Sequence, residues 1–267
     1  MGKSFFDEKY VSYWKNRVGR PLDGSKVADD KIVSFFLNKL GIKKRDVVLD
    51  LGCGHGRLFP ILRKYTENII GLDINYDAIN TASKYPYQCL IKGSAEETNC
   101  PSGFFNKIVA WAVYDVVEQK QALIEQNRIL KNGGYLLITG KNNKYSSTDK
   151  KAFIAERNAK LKKFPNHFTN VHRLLKKSEN FGFRVFKSYA FPKRGDFGEM
   201  TFVDLLKQKV PSFYEFLLIL KKIGTPVSSP QEICYEYSET AIQLAKKNNF
   251  KDIKRFFKWH KERYGDE

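Results

Sequence analysis

VVLDLGCGHG, residues 47–56, is the stretch that decides the fold of this 267-residue chain. The apolar run at 47–51 predicts a buried β-strand, and the three glycines after it predict a tight turn that leads into a helix. Glycine lacks a side chain, so the backbone of such a turn can approach a ligand closely and adopt positive φ angles. The stretch therefore predicts a strand–loop–helix unit whose loop contacts a bound ligand.

Predicted helices and strands alternate on both sides of this loop. Helices are predicted at 27–40, 57–66, 75–84, 118–130 and 171–180. Further strands are predicted at 68–73, 88–92, 107–113, 134–139, 183–190 and 240–245. Strands separated by helices imply βαβ units, so we predict an α/β fold with a doubly wound, mostly parallel sheet of seven strands.

Two carboxylates near the loop indicate what kind of ligand it binds. Asp73 lies 21 residues after Gly52, at the end of the next predicted strand, where it can accept hydrogen bonds from both hydroxyls of a ribose. A dinucleotide site needs a glycine where this chain has Arg57. Asp50, two residues before the glycines, would repel a pyrophosphate but suits a ligand with an ammonium and a sulfonium group. These residues favour S-adenosylmethionine over NAD.

Four motifs, in order and at matching spacing, resemble those of the class I S-adenosylmethionine-dependent methyltransferase family. They are DLGCGHG, KGSAE, FNKIV and LKNGGYLLI, at residues 50–56, 92–96, 105–109 and 130–138. The resemblance covers about residues 27–190. The length, an aromatic N-terminal segment and the pattern around 165–182 also resemble bacterial methyltransferases of small molecules and glycan precursors.

The resemblance implies a set of cofactor-binding residues. Gly52 and Gly54 would approach the methionine half of the cofactor, Asp73 the ribose, and the segment 94–96 the adenine. The implied set is Asp50, Gly52, Cys53, Gly54, Asp73, Ile74, Ser94, Ala95, Glu96, Trp111 and Arg17. Two departures stand out, since Ser94 replaces the usual aspartate and YDVV at 114–117 replaces a common L-E-H-V.

The chain is predicted to comprise four segments. The resemblance implies that residues 1–26 form a lid, in which Arg17 binds the methionine carboxylate through its forked guanidinium. Packing of an amphipathic lid helix on the sheet is the alternative. The core occupies 27–192, and a helical insertion at 193–237 is expected to cap the acceptor site. A last strand and a C-terminal helix complete the chain at 238–267.

A hydroxyl acceptor needs a base to remove its proton, and histidine is suited to this at neutral pH. His167 precedes the predicted helix at 171–180, in a loop on the catalytic edge of the sheet, and is the candidate base. Asp115 and Tyr114 are further candidates for catalytic residues. A histidine that binds backbone is the alternative interpretation, and an amine acceptor would need no base.

The formal net charge of the chain is +18, and it is unevenly distributed. Residues 141–194 hold 15 lysines and arginines against three acids, a net charge of +12. Such a field attracts phosphates, nucleotides, nucleic acid or an anionic membrane surface, while a solvated lysine-rich surface is the alternative. We find no RNA-binding module and no N-P-P-Y motif after the fourth strand, so nucleic acid is the less favoured partner.

The predicted function is O-methylation of a small, polar, anionic acceptor, such as a phosphorylated or nucleotide-linked sugar used for surface polysaccharides. The alternatives are an RNA methyltransferase, an N-methyltransferase of an amino sugar or other small molecule, and a cofactor-binding regulator without catalysis. The protein is expected to be a monomer or a homodimer.

Cysteine spacing and hydropathy bear on metal binding and cellular location. The four cysteines, at positions 53, 89, 100 and 234, form no CxxC pair, and the histidines do not cluster with them, so we expect no metal site. This cysteine usage suits a reduced, cytoplasmic setting. No apolar stretch approaches the roughly 20 residues of a membrane-spanning helix, and integral membrane association is not expected.

Overall fold

The computed structural model describes residues 30–265. The predicted lid at 1–26, with Arg17, lies outside these residues. Within the described part, the strands are β1 Val48–Leu51, β2 Ile69–Asp73, β3 Cys89–Lys92, β4 Phe105–Ala110, β5 Leu130–Lys141, β6 Phe168–Thr169, β7 Phe183–Phe191, β8 Val203–Asp204, β9 Glu215–Lys222 and β10 Cys234–Tyr235. The helices are α1 Asp30–Leu40, α2 Phe59–Leu62, α3 Tyr76–Ala82, α4 Gln119–Ile129, α5 Lys150–Leu161, α6 Val171–Lys177, α7 Asp196–Glu199, α8 Glu239–Lys247 and α9 Ile253–Tyr264.

The main sheet has the strand order β3-β2-β1-β4-β5-β9-β7-β8. Strands β1 to β5 are parallel, whereas β9 is antiparallel to both of its neighbours and β8 is antiparallel to β7. The predicted doubly wound, mostly parallel α/β fold is confirmed, with eight strands rather than seven. In such a sheet the carboxyl ends of β1, β2, β4 and β5 meet at one edge, which is where ligands bind.

Apolar residues cover both faces of the sheet. On β5, Leu136 and Ile138 pack in the cluster that contains α4 and α6, while Leu137 packs on the opposite face with α1 and α2. All three side chains are fully buried. The alternation of side chains along a strand therefore supplies two cores, and helices stand on both faces as the sequence predicts.

The predicted helical insertion is wrong for the residues that form β9. The run from Phe216 to Leu220 has no helical periodicity, and each of its side chains is fully buried. A continuous apolar run of this length is typical of a strand that is covered on both faces. Strand β9 lies between β5 and β7 in the sheet, and in the segment 193–237 the helix α7 has only four residues.

The predicted last strand at 240–245 is also wrong, because these residues belong to α8. Ser238 caps the helix, and its hydroxyl accepts a hydrogen bond from the backbone N–H of Ala241 at 2.9 Å. Ala241 and Ala245 are buried at helical spacing. The predicted C-terminal helix is confirmed as α9.

A cap follows the carboxyl end of β5 and consists of α5, α8 and α9. Phe153, Phe256 and Phe257 lie in its apolar cluster. The buried carboxylate of Glu156 accepts hydrogen bonds from the Tyr145 hydroxyl at 2.7 Å and from the Ser238 backbone N–H and hydroxyl at 2.9 and 2.6 Å. One buried acid thus connects the segment after β5 to the start of α8.

Within residues 30–265, no helix is long and apolar enough to cross a lipid bilayer.

Replacement of Asn127 by alanine is expected to destabilise the fold. The Asn127 amide donates to the carbonyls of Phe181, Gly182 and Gly224 at 3.1, 3.2 and 3.0 Å. Buried carbonyls that lose their donor cost about 1–3 kcal/mol, which urea denaturation would measure. Asn80→Ala, at an exposed position of α3, is the control and should change stability by no more than about 0.5 kcal/mol. Equal effects of the two substitutions would contradict the prediction.

Candidate active site

The loop after β1 has a conformation that requires glycine. Gly52, Gly54 and Gly56 have φ angles of +70°, +52° and +79°. A Cβ atom on Gly52 would lie 2.5 Å from a methyl carbon of Val113, so a larger residue would force apart the loops after β1 and β4. At Gly54 a Cβ atom would meet nothing within 4 Å, and the backbone there faces open space. The loop therefore offers exposed backbone to a ligand, as the sequence predicts.

Asp73, at the end of β2, holds this loop in place. Its Oδ2 accepts a hydrogen bond from the Gly54 N–H at 2.9 Å, and its Oδ1 accepts one from the Asn75 N–H at 2.8 Å. Burial raises the pKa of Asp73, while the hydrogen bonds from Asn75 and Gly54 lower it. Each carboxylate oxygen has two lone pairs, so both can also accept a hydrogen bond from a ribose hydroxyl.

Asp50 is a buried carboxylate at the carboxyl end of β1. Its Oδ2 accepts a hydrogen bond from the Tyr87 hydroxyl at 2.7 Å. Its Oδ1 is buried and has no hydrogen-bond partner among residues 30–265. Burial raises its pKa to about 7, against the lowering effects of the Tyr87 hydrogen bond and the Arg57 charge. A buried polar atom without a partner is unusual and points to a group that a ligand supplies.

A cleft of about 480 Å³, which includes part of its open mouth, lies between the loops after β1, β2, β3 and β4. Leu51, Ala95 and Val113 supply apolar wall, while Asp73 and Glu96 supply carboxylates. Of the residues predicted to bind the cofactor, the structure brings together Gly52, Asp73, Ile74, Ala95 and Glu96 around this cleft.

Ser94 and Glu96 shape the side of the cleft next to α4. The Ser94 hydroxyl donates to the Glu96 carboxylate, whose Oε1 accepts a hydrogen bond from the Glu118 N–H at 2.8 Å. The serine that replaces the usual aspartate therefore positions Glu96. Val116 and Val117 also line the cleft and were missed by the sequence analysis. Their position in the loop after β4 was the signal available, since loops at this edge contact ligands.

The side chains of Trp111, Tyr114 and Cys53 are among the predicted site residues that do not line the cleft. Trp111 is 6% exposed and packs edge-on against Phe197, with ring centroids 5.5 Å apart. The Tyr114 hydroxyl donates to Gln126 inside the core, and burial raises the pKa of Tyr114 well above its usual value, which does not support a role in proton transfer. The Cys53 side chain is buried, and burial raises the pKa of its thiol.

A polar cluster stands at the carboxyl end of β5. The Lys141 ammonium donates to the Asp115 carboxylate at 2.8 Å and to the side chain of Asn166. Burial lowers the pKa of Lys141, but the charge of Asp115 and the Tyr214 side chain raise it. Together the opposing effects leave the pKa above its usual value. Glu215 is opposite Lys141 in the β5–β9 register, and burial raises its pKa to about 7.

Lys141 and Glu215 are site candidates that the sequence analysis missed. Lys141 ends β5, so its place at the carboxyl edge was a usable signal. Glu215 begins β9, which runs antiparallel to β5 and therefore starts at the same edge. The sequence analysis could not place Glu215 at this edge, because it predicted a helical insertion at 193–237.

His167 is 4% exposed and is attached to the loop after β4 at two points. Its backbone N–H donates to the Asp115 carbonyl at 2.7 Å, and its Nδ1 lies 3.1 Å from the Val117 carbonyl. A carbonyl only accepts, so the imidazole carries its proton on Nδ1 in this contact. The histidine thereby holds a residue that lines the cleft.

Residues 49–138 match a family described as a methyltransferase domain. An uncharacterised protein of Methanocaldococcus jannaschii is 29% identical over 141 residues, which are 51% of this chain and 50% of that protein. The ubiquinone/menaquinone biosynthesis C-methyltransferase of Campylobacter jejuni is 27% identical over 139 residues, which are 49% of this chain and 55% of that protein. The chain thus spans about half the length of the curated relatives it matches.

A solved structure shows the same fold. The geranyl diphosphate C-methyltransferase of Streptomyces coelicolor, in complex with Mg²⁺, geranyl diphosphate and S-adenosyl-L-homocysteine, has a TM-score of 0.59 at 12% identity and covers 84% of this chain and 100% of that one. The family match thus identifies residues 49–138 as a methyltransferase domain, and the similar fold agrees with this. The predicted enzyme class and cofactor are confirmed.

The residues of the cleft, together with Asp50 and the loop after β1, fit S-adenosylmethionine. The unpartnered Oδ1 of Asp50 suits the ammonium group of the methionine half, and the open backbone at Gly54 leaves room for it. Asp73 suits the ribose, and the apolar wall at Ala95 and Val117 suits the adenine ring. Within residues 30–265, no three His, Cys, Asp or Glu side chains group closely enough to hold a metal ion.

Replacement of Asp73 by alanine is expected to weaken binding of S-adenosylhomocysteine by about 1.5–3 kcal/mol, the range for hydrogen bonds to a charged group. The variant loses both the ribose acceptor and the carboxylate that fixes Gly54. Isothermal titration calorimetry would measure the change, and Glu67→Gln, at an exposed acid, is the control. Unchanged affinity in the Asp73 variant would reject this placement of the ribose.

Replacement of Asp50 by asparagine is expected to weaken cofactor binding and, at the same time, to stabilise the folded protein. The affinity of the native protein for S-adenosylhomocysteine should rise between pH 6 and pH 8, because Asp50 loses its proton near pH 7 and then attracts the ligand's ammonium group. In Asp50→Asn the binding should be weaker and should lose this rise.

Stability should change in the opposite direction. The pKa of Asp50 is raised from 3.8 to about 7 by folding, so ionisation of this residue destabilises the folded state at pH 8. At about 1.4 kcal/mol per pKa unit, the ligand-free variant gains up to about 4 kcal/mol at pH 8 and little at pH 4. Thermal unfolding at the two pH values would measure this, and an equal gain at both would contradict it.

Proposed function

We propose that this chain transfers the methyl group of S-adenosylmethionine to a hydroxyl of a small, polar, anionic acceptor. A phosphorylated or nucleotide-linked sugar that serves as a surface-polysaccharide precursor fits this description. The observation that carries the proposal is the cluster of Asp115, Lys141 and Asn166, with Glu215 opposite Lys141. It provides a cation and carboxylates at the sheet edge where the cofactor cleft lies.

The residues at this edge have distinct proposed roles. The bound cofactor supplies an electrophilic methyl group on its sulfonium, while Asp50 holds its ammonium group and Asp73 its ribose. Lys141 orients a polar acceptor by hydrogen bonding. Asp115 and Glu215 are the carboxylates placed to accept the hydroxyl proton, and Glu215, with a pKa of about 7, combines basicity with availability at neutral pH.

The basic region supports an anionic acceptor, since the net charge of +12 between residues 141 and 194 belongs largely to the segments that follow β5. The four cysteines are free thiols, which suits a reaction in the cytoplasm. RNA and amino sugars are the alternative acceptors.

The acceptor class is tested with methyl-labelled S-adenosylmethionine and the purified chain. Panels of sugar phosphates, nucleotide sugars, neutral sugars, amino sugars and RNA would be compared by kcat/KM, and the methylated atom would be located by NMR. The proposal expects O-methylation of an anionic sugar, with loss of turnover in Glu215→Gln. Exclusive transfer to RNA or to an amine would overturn it.

His167 stays a candidate base by residue type, but its contacts support a positioning role. In this role, His167→Ala releases the Val117 carbonyl and lowers the affinity for S-adenosylhomocysteine by about 1 kcal/mol, the usual value for one hydrogen bond. His167→Asn, which keeps a donor, should restore part of the affinity. A fall in kcat of about 10²–10⁴-fold at unchanged cofactor affinity would instead establish the base role.

A further inference from the structure

A second cavity lies at the cap and shares no lining residue with the cofactor cleft. It has a volume of about 1310 Å³, including open solvent at its mouth, and lies between the end of α5, the loop at 163–167, residues 236–237 and α9. Three lysines, Lys160, Lys163 and Lys254, line it together with one acid, Glu236. The cavity therefore carries an excess of positive charge.

Lys160 is a partly buried cation of this cavity. Its ammonium donates to the carbonyl of Asn166 at 2.8 Å and lies 5.0 Å from the ring centroid of Tyr237. Among the described residues, no carboxylate forms an ion pair with it. Burial lowers its pKa to about 8, although Glu236 and Glu156 act in the opposite direction. Glu236 and Glu156 therefore offset only part of the cost of burying this ammonium, and an anion in direct contact with it would stabilise the charge further.

Lys163 stands at the rim in an unfavourable backbone conformation. It follows the end of α5 with a φ angle of +56°, and its N–H donates to the Lys160 carbonyl at 3.0 Å. Glycine is the usual residue at a left-handed position after a helix, because a side chain there costs energy. The chain keeps a lysine at this position, and Lys254 in the first turn of α9 lies across the same cavity.

One residue connects this cavity to the polar cluster. Asn166 accepts from Lys160 through its carbonyl and from Lys141 through its side chain. His167 lines the cavity and contacts Val117, which lines the cofactor cleft. An acceptor that spans from the cavity to the cluster would therefore have one end beside the lysines and the other near the cofactor.

We propose that this cavity binds a phosphoryl group through Lys160, with Lys163 and Lys254 at its rim. This deepens the proposed function and rests on it, because the phosphoryl group would be that of the acceptor. Lys160 then serves as a binding residue some distance from the methylated hydroxyl.

The test titrates the full chain at pH 7 with inorganic phosphate and with glucose 1-phosphate by calorimetry. Lys160→Met should weaken binding of both probes by about 10-fold or more, the range for a lost charged hydrogen bond, and Lys160→Arg should retain it. Lys151→Met, on an exposed position of α5 outside the cavity, is the matched control and should bind as the native chain does. Equal binding by the Lys160→Met and native chains would overturn the proposal.

Two further readouts make the outcome unambiguous. Tighter binding of glucose 1-phosphate than of phosphate supports the acceptor's phosphoryl group, whereas equal binding would leave a site for free anions and overturn that assignment. Affinity for S-adenosylhomocysteine should not fall in Lys160→Met, because Lys160 does not line the cofactor cleft. A failure to find methyl transfer would reject the proposed function but would leave these binding results unaffected.

Discussion

The hydrogen bond from the Gly54 N–H to the Asp73 carboxylate joins the two loops on which the cofactor site depends. It connects the carboxyl ends of β1 and β2, and the second oxygen of Asp73 fixes Asn75, which caps α3. Close contact of Gly52 with Val113 adds the loop after β4 to the same unit. The loops after β1, β2 and β4 are therefore fixed relative to one another, and the unpartnered oxygen of Asp50 is fixed with them.

Short stretches of sequence were sufficient to predict this part of the molecule. The loop at 47–56 and Asp73 act through backbone conformation and short-range hydrogen bonds, which residue type and spacing reveal. Strand β9 could not be predicted from residue type and spacing, because its burial depends on pairing with β5 and β7. The segment 240–245 shows the same limit, since a short apolar pattern fits a strand or a helix equally well until its neighbours are known.

The polar residues of the proposed acceptor site could not be predicted from the sequence for a related reason. Lys141, Glu215 and Lys160 belong to three different elements, and their significance comes from shared burial rather than from a motif. Asn166 lies between two of them and accepts from both lysines. Exposed lysines are common and uninformative, so only the fold distinguishes these from the others in the basic region. The cap, which is built largely after residue 230, creates that distinction.

The position of β9 has a consequence for the order in which the chain folds. Strand β7 precedes β9 in sequence, yet its sheet neighbours are β9 and β8, and β5 is reached only across β9. During synthesis, β5 and β7 both leave the ribosome with an unpaired edge that awaits Glu215–Lys222. Exposed strand edges promote aggregation, so completion of β9 ends the interval in which the nascent chain is most vulnerable.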